Sequence, residues 1–194
     1  IIYEKSDMLL SKVKISCGGL CNVTNATFKA GTLSKNYPRG GKSLKKTFAQ
    51  FETQDTIDLF TARAVPLKTE ADGRMFPATD SSQSIIDCLT HQAQKAGIEI
   101  RMRTPVQRIT QQDDRIVVND EAFDAVIVAT GGSPKSSGFD CLAAMGHSIT
   151  QPVPSLFTFN MPGESVKEMM GLVVPDALVR IQGTKLSHQG PVLI

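Results

Sequence analysis

The sequence predicts an α/β fold, because strand-like apolar stretches are separated by stretches with helical periodicity. Two features sharpen this prediction. The chain opens with a short strand that ends in an acid, "IIYE" (Ile1–Glu4). Much later, "FDAVIVATGG" carries a near-continuous apolar run, Ala125 to Ala129, of the kind that is buried on both faces in a parallel sheet. Together with the helices and the strand that lie between them, these two segments favour a doubly wound sheet.

The first third of the chain is predicted to hold a loop and two helices. Val13 to Ala26 is rich in glycine and asparagine, and a polar loop continues to about Lys42. Ser43 is the predicted cap of the first helix. Three apolar residues share one face of that helix: Leu44, Phe48 and Phe51. The second helix is predicted from Asp55 and ends before Pro66. Its inner side carries Ile57, Leu59, Phe60 and Ala64.

The middle of the chain alternates strands with one long helix. Asp72-Gly73 is the strongest short hairpin signal in the sequence. The stretch from Asp80 to Gly97 predicts a helix with polar cap residues at its start and Gly97 at its end. Ile98 to Arg103 is then a predicted strand, followed by a β-meander formed by "PVQRIT" and "RIVVN".

A change of character near residue 150 predicts a second domain. A short helix, "FDCLAAMG", leads into a Pro-punctuated region, and the strand-like pieces "ALVRIQG" and "GPVLI" follow. We therefore assign residues 1–150 to a partial dinucleotide-binding domain of the Rossmann type and residues 151–194 to the start of a β-rich domain. The chain begins at Ile1 without a Met and stops within an apolar run, so we expect it to be a piece of a longer protein.

Composition excludes several functional classes. The net charge of +2 argues against a nucleic-acid or membrane-surface protein, and the one dense basic run, Lys35 to Lys46, is a weak nucleic-acid signal. Four cysteines in 194 residues do not suggest a disulfide scaffold, which favours a reducing, cytoplasmic environment. No apolar run reaches the roughly 18 residues of a membrane span.

The acid of the first strand is the first functional signal. In a dinucleotide-binding unit, a carboxylate at the end of the second strand accepts hydrogen bonds from both hydroxyls of a ribose. Glycines at the end of a buried strand, as in "ATGG", let the backbone approach a cofactor closely. The G-x-G-x-x-G loop that precedes such an acid by about 20 residues is not in this sequence. Its absence either argues against a dinucleotide-binding fold or means that the loop lies upstream of Ile1.

The glycine-rich stretch makes the sequence recognisable. "KVKISCGGLCNVTN" resembles the signature K-x-x-x-S-G-G-G-R-C-N-x-T-N of the BaiN/YhiN-like FAD-dependent oxidoreductases, also described as aminoacetone-oxidase-like flavoproteins. The likeness continues in order through "NYPRGGKSL", "VIVATGGSP", "MGHSITQPVPSLFTF" and "QGPVLI". The resemblance implies an incomplete FAD-binding Rossmann-like domain, with a β-barrel-like domain inserted after "PVPSL". It also implies transfer of electrons between NAD(P)H, or a small organic substrate, and the flavin.

The resemblance also implies site residues. Glu4 would hold the adenosine ribose, and Val106, at its strand position, would meet the adenine through its backbone. The loop along the cofactor would be formed by Lys12, Ser16, Gly18, Gly19, Cys21 and Asn22. The residues at the end of the later strand would be Ala129, Thr130, Gly131 and Gly132. Because the upstream phosphate loop is absent, we expect FAD to bind this chain weakly or not at all. No catalytic residue is named, since the cofactor supplies the chemistry.

Two positions depart from the family signature. Cys17 stands where the pattern has Gly, and at positive φ it would cost about 1 kcal/mol or more. Leu20 stands where the pattern has Arg, a permanently charged planar donor. These departures leave open a non-catalytic or degenerate flavoprotein-like module. A small basic nucleic-acid binder is a third reading, which rests on Lys35 to Lys46 alone.

The remaining cysteines and histidines give no metal site. Cys17 and Cys21 lack the C-x-x-C spacing and have no second Cys/His pair at a suitable distance, so we expect no bound metal. Cys88 lies on the apolar side of its helix and is expected in the core, and Cys141 is expected there too. We expect a small-molecule substrate and neither a nucleic-acid nor a membrane partner.

Overall fold

A computed structural model describes residues 1–133, 135–153 and 160–194 of the chain. Contacts divide it into two compact units. The first comprises Ile1–Gly131 and Phe139–His147, and the second comprises Gly132–Gly138 and Ser148–Ile194. The predicted insertion point at "PVPSL" falls partly on residues 154–156, outside the described residues. The predicted domain division at residue 150 stays a prediction.

The described helices are α1 (Ser11–Ile15), α2 (Ala30–Leu33), α3 (Gly41–Phe48), α4 (Thr53–Thr61), α5 (Ser82–Lys95) and α6 (Asp140–Ala144). The described strands are β1 (Ile2–Tyr3), β2 (Thr24–Asn25), β3 (Leu67–Thr69), β4 (Arg74–Pro77), β5 (Ile100–Arg101), β6 (Ile109–Gln112), β7 (Arg115–Val118), β8 (Glu121–Phe123), β9 (Val173–Arg180) and β10 (Ser187–Leu193). Short 3₁₀ turns, such as Ser16–Gly19, connect some of these elements. The mixture confirms the predicted α/β class.

The parallel part of the structure is the pairing of β1 with β5. Ile2 lies opposite Ile100 and Tyr3 opposite Arg101. The other three sheets are antiparallel, with strand orders β2-β4-β3, β6-β7-β8 and β9-β10. The hairpin of β3 and β4 turns at Asp72-Gly73, where Gly73 has φ 84°, and the meander of β6 to β8 follows β5. Both confirm the sequence prediction.

The apolar run from Ala125 to Ala129 is not a buried strand. It has no regular secondary structure, and Ile127 is 92% exposed. A strand in a parallel sheet needs a neighbour whose backbone groups it can bond. Among the described residues, the parallel pair is only two residues long on each strand, and no strand pairs with this run. The prediction that it is a buried parallel strand was therefore wrong.

The helix starts in the first third also differ from prediction. Ser43 lies inside α3, which begins at Gly41 after Gly40 with φ 75°, and Phe51 lies beyond the helix. The helix begins earlier because its first helical hydrogen bond runs from Leu44 N to Gly40 O, at 3.0 Å, which makes Gly40 the cap. In α4 the cap is Glu52. Its side chain accepts from the Asp55 N–H, and its own N–H donates to the Asp55 carboxylate at 2.7 Å.

The core of the first unit sits between α4, α5 and the chain that follows α1. Its buried residues are Cys21, Phe60, Val65, Ile85 and Cys88. The α5 helix is anchored at both ends as predicted: Ser81 Oγ accepts from Gln83 N at 3.3 Å, and Gly97 follows with φ 66°. Cys88 is confirmed as a core residue, whereas Cys141 is only half-buried. In the second unit, β9 and β10 overlap the predicted strand-like pieces and pair antiparallel with each other.

Candidate functional site

Glu4 lies directly after β1 and is half-buried. Its carboxylate Oε1 accepts a hydrogen bond from Ser6 N at 2.8 Å. Hydrogen bonds from Ser6, first from its backbone N–H, lower the pKa of Glu4 below the ordinary glutamate value. The side chain is therefore a fixed anion at neutral pH. A fixed carboxylate at a strand end has the chemistry needed to accept hydrogen bonds from a diol.

The segment after β5 runs beside Glu4. Arg101 O accepts from Glu4 N, and Glu4 O accepts from Thr104 N, both at 2.9 Å. A third bond joins Arg103 N to Ser6 O, also at 2.9 Å. These bonds place Glu4 close to Val106, which lies two residues after Thr104. The structure thus brings the two predicted adenosine-binding positions into the same region.

Val106 does not lie in a strand, contrary to the prediction. It belongs to the irregular stretch between β5 and β6, and its side chain is 39% exposed. The bends that separate β5 from β6 include Arg103, with φ 54°, which turns the chain out of strand geometry. Within the described part of the chain, Val106 N–H and C=O make no hydrogen bond. They are therefore available to a base edge.

Asn119 makes hydrogen bonds to the residues on either side of Val106 in the chain. Its Oδ1 accepts from Gln107 N at 2.9 Å, and its Nδ2 donates to Pro105 O at 3.2 Å. Asn119 N also donates to Arg108 O at 2.9 Å. Sequence reasoning missed this residue. The signal was the Asn-Asp pair that follows "RIVV", since asparagine tolerates the left-handed φ of 53° that the β7–β8 turn requires.

The glycine-rich loop is built from left-handed residues. Cys17, Gly18, Gly19 and Cys21 have φ values of 48°, 66°, 94° and 63°. Ser16 closes the loop, because Ser16 Oγ donates to Val13 O at 2.9 Å and Ser16 O accepts from Cys21 N at 3.2 Å. Gly18 is exposed and Gly19 half-buried. This leaves a backbone that a ligand can approach closely.

Cys21 and Asn22 face different surroundings. The Cys21 side chain is 8% exposed and packs in the core, so only its backbone is available to a ligand. The Asn22 side chain is exposed, and its amide nitrogen can donate to Thr24 O at 2.9 Å. Leu20, at the position of the family's Arg, is 37% exposed.

Lys12 and Gly131 meet in the structure. Lys12 Nζ lies 3.5 Å from the point that a β-carbon on Gly131 would occupy, and Gly131 has φ 72°. Ala129 and Thr130, which precede Gly131, are exposed, and so is Gly132. The predicted residues therefore form two groups, Glu4 with Val106 and Lys12 with Gly131. Two described clefts are lined by other residues, 163–168 and 31–45.

Metal-binding clusters and membrane-spanning helices are both absent from the described residues. No group of three or more His, Cys, Asp or Glu side chains there could hold a metal ion. None of the helices in the described ranges is long and apolar enough to cross a membrane.

The chain is similar to several known proteins. The model of the HI0933-like protein Rossmann domain matches residues 1–183. A ribosomal RNA dihydrouridine synthase of Escherichia coli is 25% identical over 186 residues, covering 89% of this chain and 46% of that protein. A 3-dehydro-bile acid delta(4,6)-reductase of Clostridium scindens is 25% identical, covering 80% and 39%. A ribosomal RNA dihydrouridine synthase of Haemophilus influenzae is 22% identical, covering 97% and 50%.

The chain spans half or less of the length of these curated relatives. The family match, in contrast, extends over nearly all of its 194 residues. The protein belongs to the HI0933-like Rossmann-domain family of FAD-binding oxidoreductases.

Proposed function

We propose that the full-length protein binds FAD and uses it to reduce a carbon–carbon double bond conjugated to a carbonyl group. Family membership supports the flavin. The observation that carries the FAD assignment is the fixed carboxylate of Glu4, which lies beside the segment that contains the unbonded backbone of Val106.

The described residues fit the adenosine half of FAD. Glu4 would accept from the ribose hydroxyls, and the Val106 N–H and C=O would pair with the adenine edge. Lys12, beside Gly131, would place a positive charge against an anionic part of the cofactor. The left-handed backbone at Gly18 and Gly19 leaves room for close approach. Bound FAD supplies the hydride chemistry, and these residues bind and orient it.

The two kinds of relative suggest the reaction. Dihydrouridine differs from uridine by reduction of the double bond conjugated to the C4 carbonyl. A 3-dehydro compound with delta(4,6) unsaturation likewise has double bonds conjugated to its ketone. Both named activities therefore involve an electron-poor alkene, which accepts hydride at the carbon remote from the carbonyl. We propose NAD(P)H as the source of reducing equivalents, with a small organic donor as the alternative.

FAD titration tests the adenosine assignment. Isothermal titration of FAD into the full-length protein, as the wild type, Glu4→Gln and Glu164→Gln, should show weaker binding only for Glu4→Gln. Glu164 is an exposed glutamate in the second unit and controls for charge. Equal affinity in all three proteins would remove Glu4 from the site.

Turnover tests the reaction class. The full-length protein, loaded with FAD, should oxidise NADPH or NADH faster when a uridine-containing RNA or a 3-oxo-4-ene steroid is added. Failure to bind FAD in the full-length protein would instead favour a degenerate, non-catalytic module. The positive φ of Cys17, where the family signature has Gly, is the observation that favours that alternative.

A further inference from the structure

Positive charge is concentrated in one part of the chain, which we call the basic segment, residues 8–51. Eight of the 21 Lys and Arg residues lie there, and none of the 19 Asp and Glu residues does. The remaining residues carry a net negative charge. The small net charge of the whole chain therefore conceals a strongly cationic region, which attracts polyanions by its local field.

A cleft lies inside the basic segment, at the start of α3. It has a volume of about 470 Å³ and is lined by Lys35, Lys42 and Lys45, together with Tyr37 and neighbouring glycines. The three lysines are exposed, and no ion pair of theirs occurs among the described residues. The size lies within the range of small-molecule pockets. The cleft can therefore admit a nucleotide unit with its phosphate.

The walls of the cleft are fixed by packing. Gly41 lies so close to the Ser34 carbonyl that a β-carbon would not fit, and Ser34 is buried with its Oγ donating to Gly31 O at 3.1 Å. Tyr37 is 43% exposed, and its ring lies 5.4 Å from that of Phe48. Phe48 thus backs one side of the Tyr37 ring. A supported, half-exposed aromatic ring beside lysines is a stacking platform for a base.

We propose that this cleft binds the phosphodiester backbone of single-stranded RNA, with Lys35, Lys42 and Lys45 on phosphates and a base stacked on Tyr37. The proposal names RNA as the substrate class of the proposed reductase. In this respect it rests on the proposed function. It departs from our expectation of no nucleic-acid partner and develops the third reading, which rested on the basic run from Lys35 to Lys46. RNA fits better than an anionic membrane, because the lysines line a concavity with an aromatic wall and not a flat apolar face.

The experiment measures binding of a fluorescein-labelled oligouridylate of about 16 nucleotides, matching the upper site size of known single-strand binders. Fluorescence anisotropy is recorded at several NaCl concentrations with the complete chain. The variant Lys35→Gln/Lys42→Gln/Lys45→Gln should bind at least about tenfold more weakly, and its salt slope should shrink by about 2, because each lost single-strand phosphate contact contributes about 0.7. Replacing the same residues by Arg keeps the charges and should preserve binding.

A matched control distinguishes a binding site in the cleft from attraction of RNA by positive charge in general. Lys95→Gln/Lys167→Gln/Lys185→Gln removes three exposed lysines outside the basic segment and should leave affinity nearly unchanged. Tyr37→Leu should weaken binding without altering the salt slope, because stacking releases no counterions. Circular dichroism of every variant confirms that it is folded.

Three results would overturn the proposal: no binding by the wild type, equal weakening by the control triple variant, or equally tight binding to phosphatidylserine-containing vesicles. RNA binding is read by anisotropy and needs no flavin turnover. Failure here therefore leaves the FAD titration and the turnover assay as independent tests of the proposed reductase.

Discussion

The ammonium group of Lys12 lies against the backbone of Gly131, with Nζ 3.5 Å from the point that a β-carbon on Gly131 would occupy. This contact joins the helix before the glycine-rich loop to the "ATGG" stretch, which is 119 positions later in the chain. Lys12 precedes one glycine-rich segment of the sequence, and Gly131 lies in the other. Gly131 also has φ 72°, a conformation that residues with a β-carbon rarely adopt.

Gly131→Ala should therefore lower the free energy of unfolding by about 1 kcal/mol, because alanine is strained at positive φ. Gly132→Ala is the matched control, since Gly132 has no atom near its missing β-carbon and no positive φ. Urea denaturation monitored by circular dichroism measures both. Equal effects of the two substitutions would show that the backbone of Gly131 is not held in its left-handed conformation.

Cys17→Gly should raise the free energy of unfolding by about 0.5–1 kcal/mol, because glycine adopts the observed φ of 48° without the penalty of a β-carbon. Cys17 is exposed, so little packing is lost. Cys21→Gly should instead lower the free energy of unfolding. Cys21 also has a positive φ, of 63°, but its side chain is buried in the core and its packing would be lost. The same urea experiment distinguishes them, and a drop in stability for Cys17→Gly would contradict the assignment of strain.

The Glu4 carboxylate should make stability depend on pH in the acid range. Hydrogen bonds from Ser6 lower the pKa of Glu4 in the folded state, so the folded protein holds its proton less tightly than the unfolded chain does. The stabilisation is present above the unfolded pKa of about 4.3 and is lost as the pH falls through the lower folded value.

Urea midpoints of the wild type and Glu4→Gln, measured from pH 7 down to pH 3, test this dependence. The gap between the two proteins should be largest near neutral pH and should close in acid. Glu164→Gln should track the wild type at each pH. A constant gap between wild type and Glu4→Gln would mean that Ser6 does not favour the ionised carboxylate.

Local signals explain what could be predicted from the sequence. The α5 helix was predictable because Ser81 caps its start with a side-chain hydrogen bond and Gly97 ends it with a positive φ. The turn at Asp72-Gly73 was predictable for the same reason. The run from Ala125 to Ala129 was not, because apolar composition indicates burial only when another strand is present to cover and bond it. The family signature supplied the expected site residues. Asn119 had a turn signal in the sequence, but its contacts with residues 105–108 could not be predicted, since they span 11 to 14 positions.

Asn119→Gly should weaken FAD binding and lower stability by about 1–2 kcal/mol, because it removes the side-chain hydrogen bonds to Gln107 N and Pro105 O. Glycine tolerates the φ of 53°, so the backbone is not strained by the change. A positioning role predicts that hydrogen exchange speeds up at residues 105–108 and that the affinity for FAD falls. Unchanged affinity together with lower stability would limit Asn119 to a structural role.

Thr53 joins α4 to the stretch after the glycine-rich loop. It is 1% exposed, and its Oγ1 lies 2.9 Å from Thr27 O and 3.1 Å from Asn25 O, so its one proton is shared by two backbone carbonyls. Thr53→Val keeps the shape but removes the donor, and should lower the free energy of unfolding by about 1–3 kcal/mol. Thr53→Ser keeps the hydroxyl and should lose less than the valine variant. Because valine preserves the packing, a Thr53→Val protein as stable as the wild type would show that these carbonyls do not depend on Thr53.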